Sequence, residues 1–523
     1  MKNFIYKKQN TIFILLISFF SIFINIYYGY RGVFPIDSFL IFDSGYNVLN
    51  GSHPFKDYWS ITGPLLDYLQ AIFFFIFGIN WFSYVLHASV INLILALFSY
   101  FVFKEIGLKK SYSFLYSASI ALLAYPSIGV PFIDHHSTIF SILAIYCFIL
   151  TKKCEKNFLF FLIPIFLGLA FFSKQIPSAY IITIITTVLF FENLYNFNKN
   201  KFFYLFLGAT FFLLFVLLIF TINHIPFNSF VLQYILYPFS IGSDRFINLN
   251  LNFNIIFLQF KFIYFCLLPL LIIFIKISLK KQKTKEEYDD LKIIFLIIGM
   301  VLIFISTQII TQNQILIFFL IPMITGFSHI YCNKYFNIKN LIYILILFCL
   351  FSVFKYHLRF NEEKKFMELS NANIALAVNA NQIDKIFSGL KWITTYYPNE
   401  PQKEVDNLIE IKKYLQNDVS SKIIISDYQF FLALTKAKLS SPNKWYDSMS
   451  IPSLKNKYYP HYKKFFVKKI KENNVEKIYN IGPNKYLPVL YSYFQDMINN
   501  NNCITSKEIN EMLIVYDIKN CNL

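Results

Sequence analysis

The chain has 523 residues, of which 56% are hydrophobic, 20% aromatic and only 15% charged. A soluble globular domain has roughly 25% charged residues, so the composition excludes an ordinary water-soluble protein and favours one that is embedded in a membrane. The formal charge of +18 agrees with this, because membrane proteins accumulate lysine in their cytoplasmic loops. We therefore expect membrane lipids, and no nucleic acid, as partners.

Long apolar stretches predict a polytopic α-helical membrane protein. A helix needs about 20 residues to cross the ~30 Å of hydrocarbon in a bilayer. The first stretch follows three lysines, and its long apolar core without a cleavage site predicts a retained helix rather than a signal peptide. About eleven transmembrane helices are expected, at residues 11–30, 81–103, 112–128, 132–150, 158–172, 178–191, 202–222, 254–277, 291–307, 315–330 and 341–356. The shorter run 64–78 predicts a helix lying in the membrane interface.

The basic residues of the connecting loops predict the orientation of these helices. With the N-terminus inside the cell, nineteen lysines lie in cytoplasmic segments, against four basic residues in outside loops. This ratio is typical of the positive-inside rule, and it holds at each alternate loop. We expect an integral protein of the bacterial inner (plasma) membrane, with its N-terminus in the cytoplasm.

The hydrophobic character ends near residue 357, which predicts two domains. Residues 1–357 form the transmembrane domain, with a long first outside loop at 31–80, and residues 358–523 form a soluble extracytoplasmic α/β domain. Helical patterns alternate with strand patterns in the second domain, at 404–415, 422–426, 462–472, 475–481 and 512–518. Cys503 and Cys521 share this domain, and a disulfide between them is one expectation.

The first outside loop contains four carboxylates, namely Asp37, Asp43, Asp57 and Asp67. A carboxylate at a membrane surface serves as a general base or as a ligand of a divalent cation. The alternative is that a loop facing water is simply polar. The residues around these carboxylates favour the functional interpretation.

The pattern of this loop resembles a known family. Asp37 is followed by an amphipathic stretch, and the pattern continues through Tyr46–Gly51, His53–Trp59 and Gly63-Pro64. It is similar to the first extracytoplasmic loop of the GT-C superfamily, in the group of protein O-mannosyltransferases and bacterial aminoarabinose transferases. The resemblance covers roughly residues 10–195.

The resemblance implies a GT-C-like fold and an inverting glycosyltransferase. Members of this group move a sugar from a polyprenyl-phosphate carrier to an acceptor outside the cytoplasm. Asp37 matches the acidic residue that acts as their catalytic base. The family usually has a second acidic residue immediately afterwards, where this chain has Ser38. Whether Asp43 shares the catalytic role therefore stays open, and Asp57 is a candidate for substrate binding.

The second outside loop carries Asp134, His135 and His136 at the start of an apolar stretch. Ionisable groups in such a place are costly unless they are paired or hydrated, which makes them candidates for function. Asp134 and His135 suit a divalent metal ion. In the other functional reading, His135 and His136 bind the phosphate of the carrier. The third reading is an interfacial loop with solvated histidines.

Two further outside loops supply cations for a phosphate. Lys174, followed by Gln175, is the only charge between two long apolar stretches, and Arg245 lies in the next outside loop. A cation here suits a lipid-linked phosphate. The alternatives are that Lys174 extends to the lipid headgroups as an anchor and that Arg245 pairs with Asp244. The polar run Gln312-Asn313-Gln314 either binds sugar hydroxyls or caps helices.

Three functions fit these features. A glycosyltransferase with a polyprenyl-phosphate sugar donor explains the clustered carboxylates and cations, the long first loop and the outside domain. Its acceptor is a lipid, a glycan or a protein, and a divalent metal ion is an open cofactor. A transporter or flippase of lipid-linked sugars is disfavoured, because no internal repeat and few mid-span charges are present. An O-antigen polymerase or ligase is disfavoured, because arginines are expected in its large outside loop and the loop of Arg245 contains no second one.

Overall fold

The computed structural model describes residues 2–154, 156–195, 197–247, 249, 251–311, 317–435, 439–447, 449–483, 503–519 and 521. The first half of the chain is helical: α1 Lys2–Gly29, α2 Pro35–Ser38, α3 Leu40–Leu49, α4 Leu65–Phe77, α5 Trp81–Glu105, α6 Lys110–Leu123, α7 Ile133–Cys154, α8 Phe158–Ser173, α9 Gln175–Tyr195, α10 Lys199–Ile222, α11 Phe227–Phe230 and α12 Tyr237–Ile247. Helices α11 and α12 are joined by a π-helical segment, Val231–Leu236.

The second half continues with helices and then changes to mixed structure. The helices are α13 Lys261–Ser278, α14 Lys285–Thr311, α15 Leu320–Tyr335, α16 Lys339–His357, α17 Pro401–Asn417, α18 Phe431–Leu434 and α19 Tyr459–Glu472. Two π-helical segments, Asn254–Leu258 and Leu358–Glu362, precede α13 and follow α16. The strands are β1 Val378–Asn379, β2 Lys391–Trp392, β3 Lys422–Ser426, β4 Leu439–Ser440, β5 Lys477–Ile481, β6 Thr505–Asn510 and β7 Leu513–Asp517.

Among the described residues, eight helices are long and apolar enough to cross a membrane. They correspond to eight of the eleven predicted spans, and they confirm a polytopic helical membrane protein. The remaining three predicted spans coincide with the shorter helices α6, α8 and α15, of 14, 16 and 16 residues. The predicted interface helix is also present as α4, and it ends at Gly78, whose φ of 81° is readily adopted only by glycine.

The chain divides into two compact units. The helical unit comprises Met1–Gly29, Ala88–Ile219 and Arg245–Phe366. The loop-and-sheet unit comprises Tyr30–His87, Phe220–Asp244 and Met367–Leu523. Each unit therefore combines segments that are distant in sequence, and the predicted domain boundary at residue 357 stays a prediction.

Helix α7 is the most deeply buried helix of the helical unit. Every residue from Ile133 to Thr151 is buried, because α8, α9 and α14 pack around it. Some of the buried polar groups inside this unit are satisfied by neighbouring helices. The Asn92 amide, for example, donates to the Ser21 carbonyl at 3.2 Å and to the Ala121 carbonyl at 2.9 Å.

The loop-and-sheet unit contains a five-stranded sheet of order β4-β3-β5-β7-β6. Strands β4, β3 and β5 are parallel, whereas β7 and β6 are antiparallel. Strand β3 is buried at all five positions, as expected of a central parallel strand covered on both faces. This arrangement confirms the predicted α/β character, and α17, β3, α19, β5 and β7 lie at the predicted places.

The first outside loop packs within the same unit as this sheet. Val33 donates its N–H to the Ile393 carbonyl at 3.0 Å, and Trp59 donates its N–H to the Pro442 carbonyl at 2.7 Å. Phe39 contacts the rings of Trp392 and Phe430 at centroid distances of 5.7 and 4.8 Å. Buried aromatic area of this kind is a large source of packing energy. Near the end of the chain, Cys503 and Cys521 form a disulfide, which the sequence left open.

Candidate functional site

Asp43 is the buried carboxyl group of the first loop. It lies in α3 and is 3% exposed, because α3 packs closely on α4. Gly45 permits this approach, since a Cβ atom there would lie 2.5 Å from Cγ of Gln70. One oxygen of Asp43 accepts a hydrogen bond from the Asn47 amide at 3.1 Å. Burial raises the pKa of Asp43 to about 8, and the charge of Asp67 acts in the same direction.

A small cavity lies beside Asp43. Its other polar lining residues come from the sheet region, and they are Ser426, Tyr428, Gln429, Ser441 and Tyr446. Ser426 is the last residue of β3, which has parallel neighbours on both sides. Ligands of α/β sheets usually bind outside the carboxyl ends of parallel strands. The cavity therefore lies between an ionisable group and the edge of the sheet at which ligands usually bind.

Asp67 is a second buried carboxylate, and it is fully satisfied by hydrogen bonds. It accepts from the hydroxyl groups of Ser44 and Tyr58, both at 2.9 Å. Lys444, in the segment after β4, donates to it at 2.6 Å. The side chains of Asp67 and Lys444 are 0% and 2% exposed, so this is a buried ion pair. Burial lowers the pKa of Lys444 from its ordinary value.

Asp37 lies in the short helix α2 and is partly exposed. The Ser38 side chain accepts the Phe34 N–H at 2.9 Å, and Tyr84 donates to the Ser38 carbonyl at 2.8 Å. These contacts fix the backbone around Asp37. Its carboxylate is close enough to the Tyr84 hydroxyl for an electrostatic interaction. Asp37 is therefore the more accessible of the two predicted catalytic carboxylates.

The contacts of Asp57 hold a turn. Its side chain accepts the N–H of His53 at 2.9 Å. It also forms an ion pair with Lys469 of α19 at 3.3 Å. These contacts connect the first loop to α19 within the loop-and-sheet unit. A role of Asp57 in substrate binding stays a prediction.

In the helical unit, Asp134 and Lys174 form an ion pair. Asp134 lies in the first turn of α7, and Lys174 lies between α8 and α9, with an Nζ–Oδ1 distance of 2.6 Å. The Asp134 side chain is nearly buried, whereas that of Lys174 is 22% exposed. Gln175 begins α9 directly after Lys174. The lysine thus retains access to solvent while one carboxylate balances its charge.

The two histidines of the second outside loop are buried in α7 rather than solvated. His135 donates from Nε2 to the Ala124 carbonyl at 2.9 Å. In the neutral ring the lone pair is then on Nδ1, which has no hydrogen-bond partner in the described part of the chain. His136 contacts the Phe132 carbonyl at 3.2 Å and the Tyr125 hydroxyl. The reading of these histidines as a solvated interfacial loop is wrong.

In the described residues, no third ligand lies near Asp134 and His135 for the predicted metal ion. Within the described ranges, no group of three or more His, Cys, Asp or Glu side chains lies close enough to hold a metal ion. A zinc site typically has three or four protein ligands. Asp134 is instead paired with Lys174.

The predicted site residues fall into the two units. Asp37, Asp43 and Asp57 belong to the loop-and-sheet unit, and the helical unit contains the others: Asp134, His135, His136, Lys174, Gln175 and Arg245. Arg245 is partly exposed in α12. The polar run Gln312-Asn313-Gln314 lies outside the described residues, as does the side chain of Asp244.

Sequence reasoning missed Lys444 and assigned no role to Asp67. Lys444 lies in a short polar segment, Pro442-Asn443-Lys444, which looks like an ordinary surface turn. Lysine is almost never fully buried unless it is paired. Only the contact with a carboxylate 377 positions earlier identifies it, and no local sequence signal marks that contact.

Comparisons with known proteins give a structural likeness and no sequence match. No protein-family model matches the chain, and no curated protein matches it in sequence. The chain is similar to ArnT from Cupriavidus metallidurans in the apo state, with 10% identity and a TM-score of 0.46 over 99% of this chain and 98% of that one. It is also similar to the same protein bound to undecaprenyl phosphate, with 10% identity and a TM-score of 0.47 over 98% and 97%.

A likeness at 10% identity and at these TM-scores concerns overall architecture and does not extend to residues or activity. The chemistry of the site therefore rests on the residues of this chain.

Proposed function

We propose that this protein is a membrane glycosyltransferase. It moves a sugar from a polyprenyl-phosphate carrier to an acceptor outside the cytoplasm, with a first-loop carboxylate as general base. The observation that carries the proposal is Asp43, a buried carboxyl group with a pKa of about 8 beside a cavity at the carboxyl end of β3. Perturbed carboxyl groups next to cavities are characteristic of acid–base sites.

The two first-loop carboxylates suit different parts of this reaction. Transfer requires a base that removes the proton of an acceptor hydroxyl as the sugar–phosphate bond breaks. Asp37 is partly exposed, so an acceptor can reach it, and it is our assigned base. Burial raises the pKa of Asp43 to about 8, so at neutral pH its protonated form prevails and can donate a hydrogen bond into the cavity beside it.

The departing phosphate needs a cation that reaches the membrane boundary. Lys174 has this character, because it extends from between two apolar helices and keeps 22% of its side chain exposed. Its partner Asp134 holds the ammonium group in place until an anion arrives. A role of Arg245, Gln175, His135 and His136 in binding the donor stays a prediction. We expect inversion at the sugar carbon, because one displacement with a single base suffices.

The orientation proposed is the one that the lysine distribution predicts, with the loop-and-sheet unit outside the cytoplasm. The disulfide between Cys503 and Cys521 supports this, since disulfides persist mainly in oxidising compartments. The cavity beside Asp43 then faces the compartment in which lipid, glycan or protein acceptors are found.

The test is consumption of the donor by purified protein in lipid nanodiscs. Polyprenyl-phosphate sugars of several kinds are supplied one at a time, and release of the free carrier is measured. We expect Asp37→Asn to lower the rate by roughly 10²- to 10⁴-fold, since this is the usual contribution of a general base. We expect Asp43→Asn to lower it less and to remove the pH dependence near pH 8.

Asp406→Asn is the matched control, because Asp406 is an exposed carboxylate of α17 bonded to Gln402. It should transfer at the normal rate. A normal rate in Asp37→Asn would show that Asp37 is not the base. Intact donor that crosses vesicle membranes without release of the carrier would show a flippase instead.

A further inference from the structure

The buried pair of Asp67 and Lys444 joins the first loop to the segment that follows β4. Its Nζ–Oδ1 distance is 2.6 Å, and both side chains are nearly inaccessible to solvent. The remaining capacity of Asp67 is filled by Ser44 and Tyr58. Ion pairs in protein interiors often contribute little to stability compared with apolar residues of the same size. Stabilisation of the fold is therefore a poor explanation for the Asp67–Lys444 pair, and a different role has to be considered.

The pair lies in the immediate environment of Asp43. Ser44, the residue after Asp43, donates its hydroxyl proton to Asp67. The Asp67 carboxylate acts electrostatically on Asp43, and Lys444 is the cation that balances this carboxylate. In the part of the chain that the structure describes, three tyrosines also interact electrostatically with Asp43, namely Tyr46 on α3 itself, Tyr58 and Tyr446.

Among these groups, Asp67 and Lys444 form the ion pair. Burial raises the pKa of all three tyrosines above their ordinary value, so they stay neutral. The electrostatic potential at Asp43 thus depends on how completely the lysine offsets the aspartate. Because both are buried, solvent screens their fields weakly.

We propose that Lys444 is a positioning residue, which acts through its ion pair with Asp67 to set the pH at which Asp43 changes its protonation state. The segment after β4 thereby takes part in the chemistry of the first loop without touching the substrate. The kinetic consequence rests on the proposed glycosyltransferase function, whereas the effect on Asp43 itself does not.

The direct test is the infrared carbonyl band of protonated Asp43 in the full-length protein. The band is identified by its loss in Asp43→Asn and then titrated with pH. Lys444→Met removes a positive charge. The combined infrared signal of protonated Asp43 and protonated Asp67 should therefore persist to higher pH, with at least a tenfold fall in the acid dissociation constant of these carboxyl groups. In Asp67→Asn a negative charge is removed, and the constant of Asp43 should rise at least tenfold.

The double variant Asp67→Asn/Lys444→Met restores a neutral pair and should return the midpoint towards that of the unmodified protein. This pattern of opposite shifts that cancel distinguishes an electrostatic role from a merely structural one. The double variant and Asp67→Asn also keep the test decisive if Lys444→Met does not fold. The matched control is Lys412→Met, which breaks an ion pair with Asp384 in the same unit and should leave the titration of Asp43 unchanged.

The pH profile of sugar transfer is the second readout, and its inflection should move in the same direction as the infrared midpoint. Shifts of the infrared midpoint without any transfer by the unmodified protein would support the coupling and reject the glycosyltransferase. Equal midpoints in Lys444→Met, Asp67→Asn and the control would overturn the coupling, whatever the activity.

Discussion

Asp43 receives fewer hydrogen bonds than its neighbours in the first loop. The Asp67 side chain accepts hydrogen bonds from Ser44, Tyr58 and Lys444. The Asp43 side chain accepts one hydrogen bond in the described part of the chain, from the Asn47 amide. Hydrogen bonds and cations stabilise the charged form of a carboxyl group, and burial opposes it. The difference in partners explains why burial prevails at Asp43 and raises its pKa to about 8.

Glu404 of α17 is a buried carboxyl group whose hydrogen-bond partner Tyr428 lines the cavity beside Asp43. It accepts hydrogen bonds from Trp392 and Thr394 at 2.9 Å and from Tyr428 at 2.5 Å. Burial nevertheless raises its pKa from 4.5 to about 7. Because the pKa in the folded state exceeds that of the unfolded chain, this group favours folding fully below pH 4.5. That contribution disappears as the pH rises through about 7.

We therefore expect the protein to lose stability between pH 4.5 and pH 8, by up to about 3 kcal/mol from Glu404 alone. In Glu404→Gln this part of the pH dependence should vanish, because the amide does not ionise. The measurement is thermal unfolding of the nanodisc-embedded protein at several pH values. The exposed Glu410 of the same helix, bonded to Asn510, supplies the control Glu410→Gln, which should keep the wild-type pH dependence. An unchanged slope in Glu404→Gln would contradict the assignment.

Helices α3 and α4 form a close pair that holds both buried carboxylates of the first loop. The pair has no long apolar span to anchor it, so its geometry depends on contacts between the two helices. Gly45 lies at the closest approach, where an added Cβ would meet Cγ and Cβ of Gln70 at 2.5 and 2.7 Å. Cβ of Gln70 is attached to the backbone and has little freedom to move away.

Gly45→Ala should therefore separate α3 from α4 and destabilise the loop-and-sheet unit by about 1–3 kcal/mol, the usual effect of overpacking. It should also lower sugar transfer, because Asp43 and Asp67 would shift relative to one another. Limited proteolysis during thermal unfolding measures the first effect, and donor consumption measures the second. Gly242→Ala is the control, since a Cβ there meets no atom within 4 Å. Equal behaviour of the two variants would exclude a packing role for Gly45.

The protein is an integral membrane protein, and its cysteines allow the proposed orientation to be tested. Cys503 and Cys521 form a disulfide in the loop-and-sheet unit. Cys154 is free and partly exposed at the end of α7, in a loop whose lysines predict a cytoplasmic location. The two sets of cysteines should therefore lie on opposite sides of the membrane.

After mild reduction of intact cells or spheroplasts, a membrane-impermeant maleimide should label Cys503 and Cys521 and leave Cys154 unlabelled. Cys154 should become reactive once the membrane is opened with detergent. The modified residues are identified by mass spectrometry, and a Cys503→Ser/Cys521→Ser variant serves as the control for labelling specificity. Labelling of Cys154 in intact cells, with the other two protected, would reverse the topology.

Much of the fold follows from local patterns in the chain. Apolar runs of about 20 residues mark the long helices, because each must cross the hydrocarbon or an equally apolar interior. The short strands β3, β5 and β7 also lie where runs of β-branched and aromatic residues predict them. The weak or short elements, such as β4 and β6, escaped prediction, because their residues are polar and their pairing partners decide their conformation.

The candidate site, like the fold, was predicted from the sequence only in part. The sequence alone identifies Asp134 and Lys174 as chemically unusual, since charges next to long apolar runs are rare. It identifies Asp37 and Asp43 through the resemblance of the first loop to the GT-C superfamily. It does not separate the partly exposed Asp37 from the buried Asp43, and it does not reveal Lys444 beside Asp67 across 377 positions. Burial and charge pairing arise from segments far apart in the chain, and the protonation state of a carboxyl group depends on both. Only the packed structure decides which carboxylate becomes an acid near neutral pH.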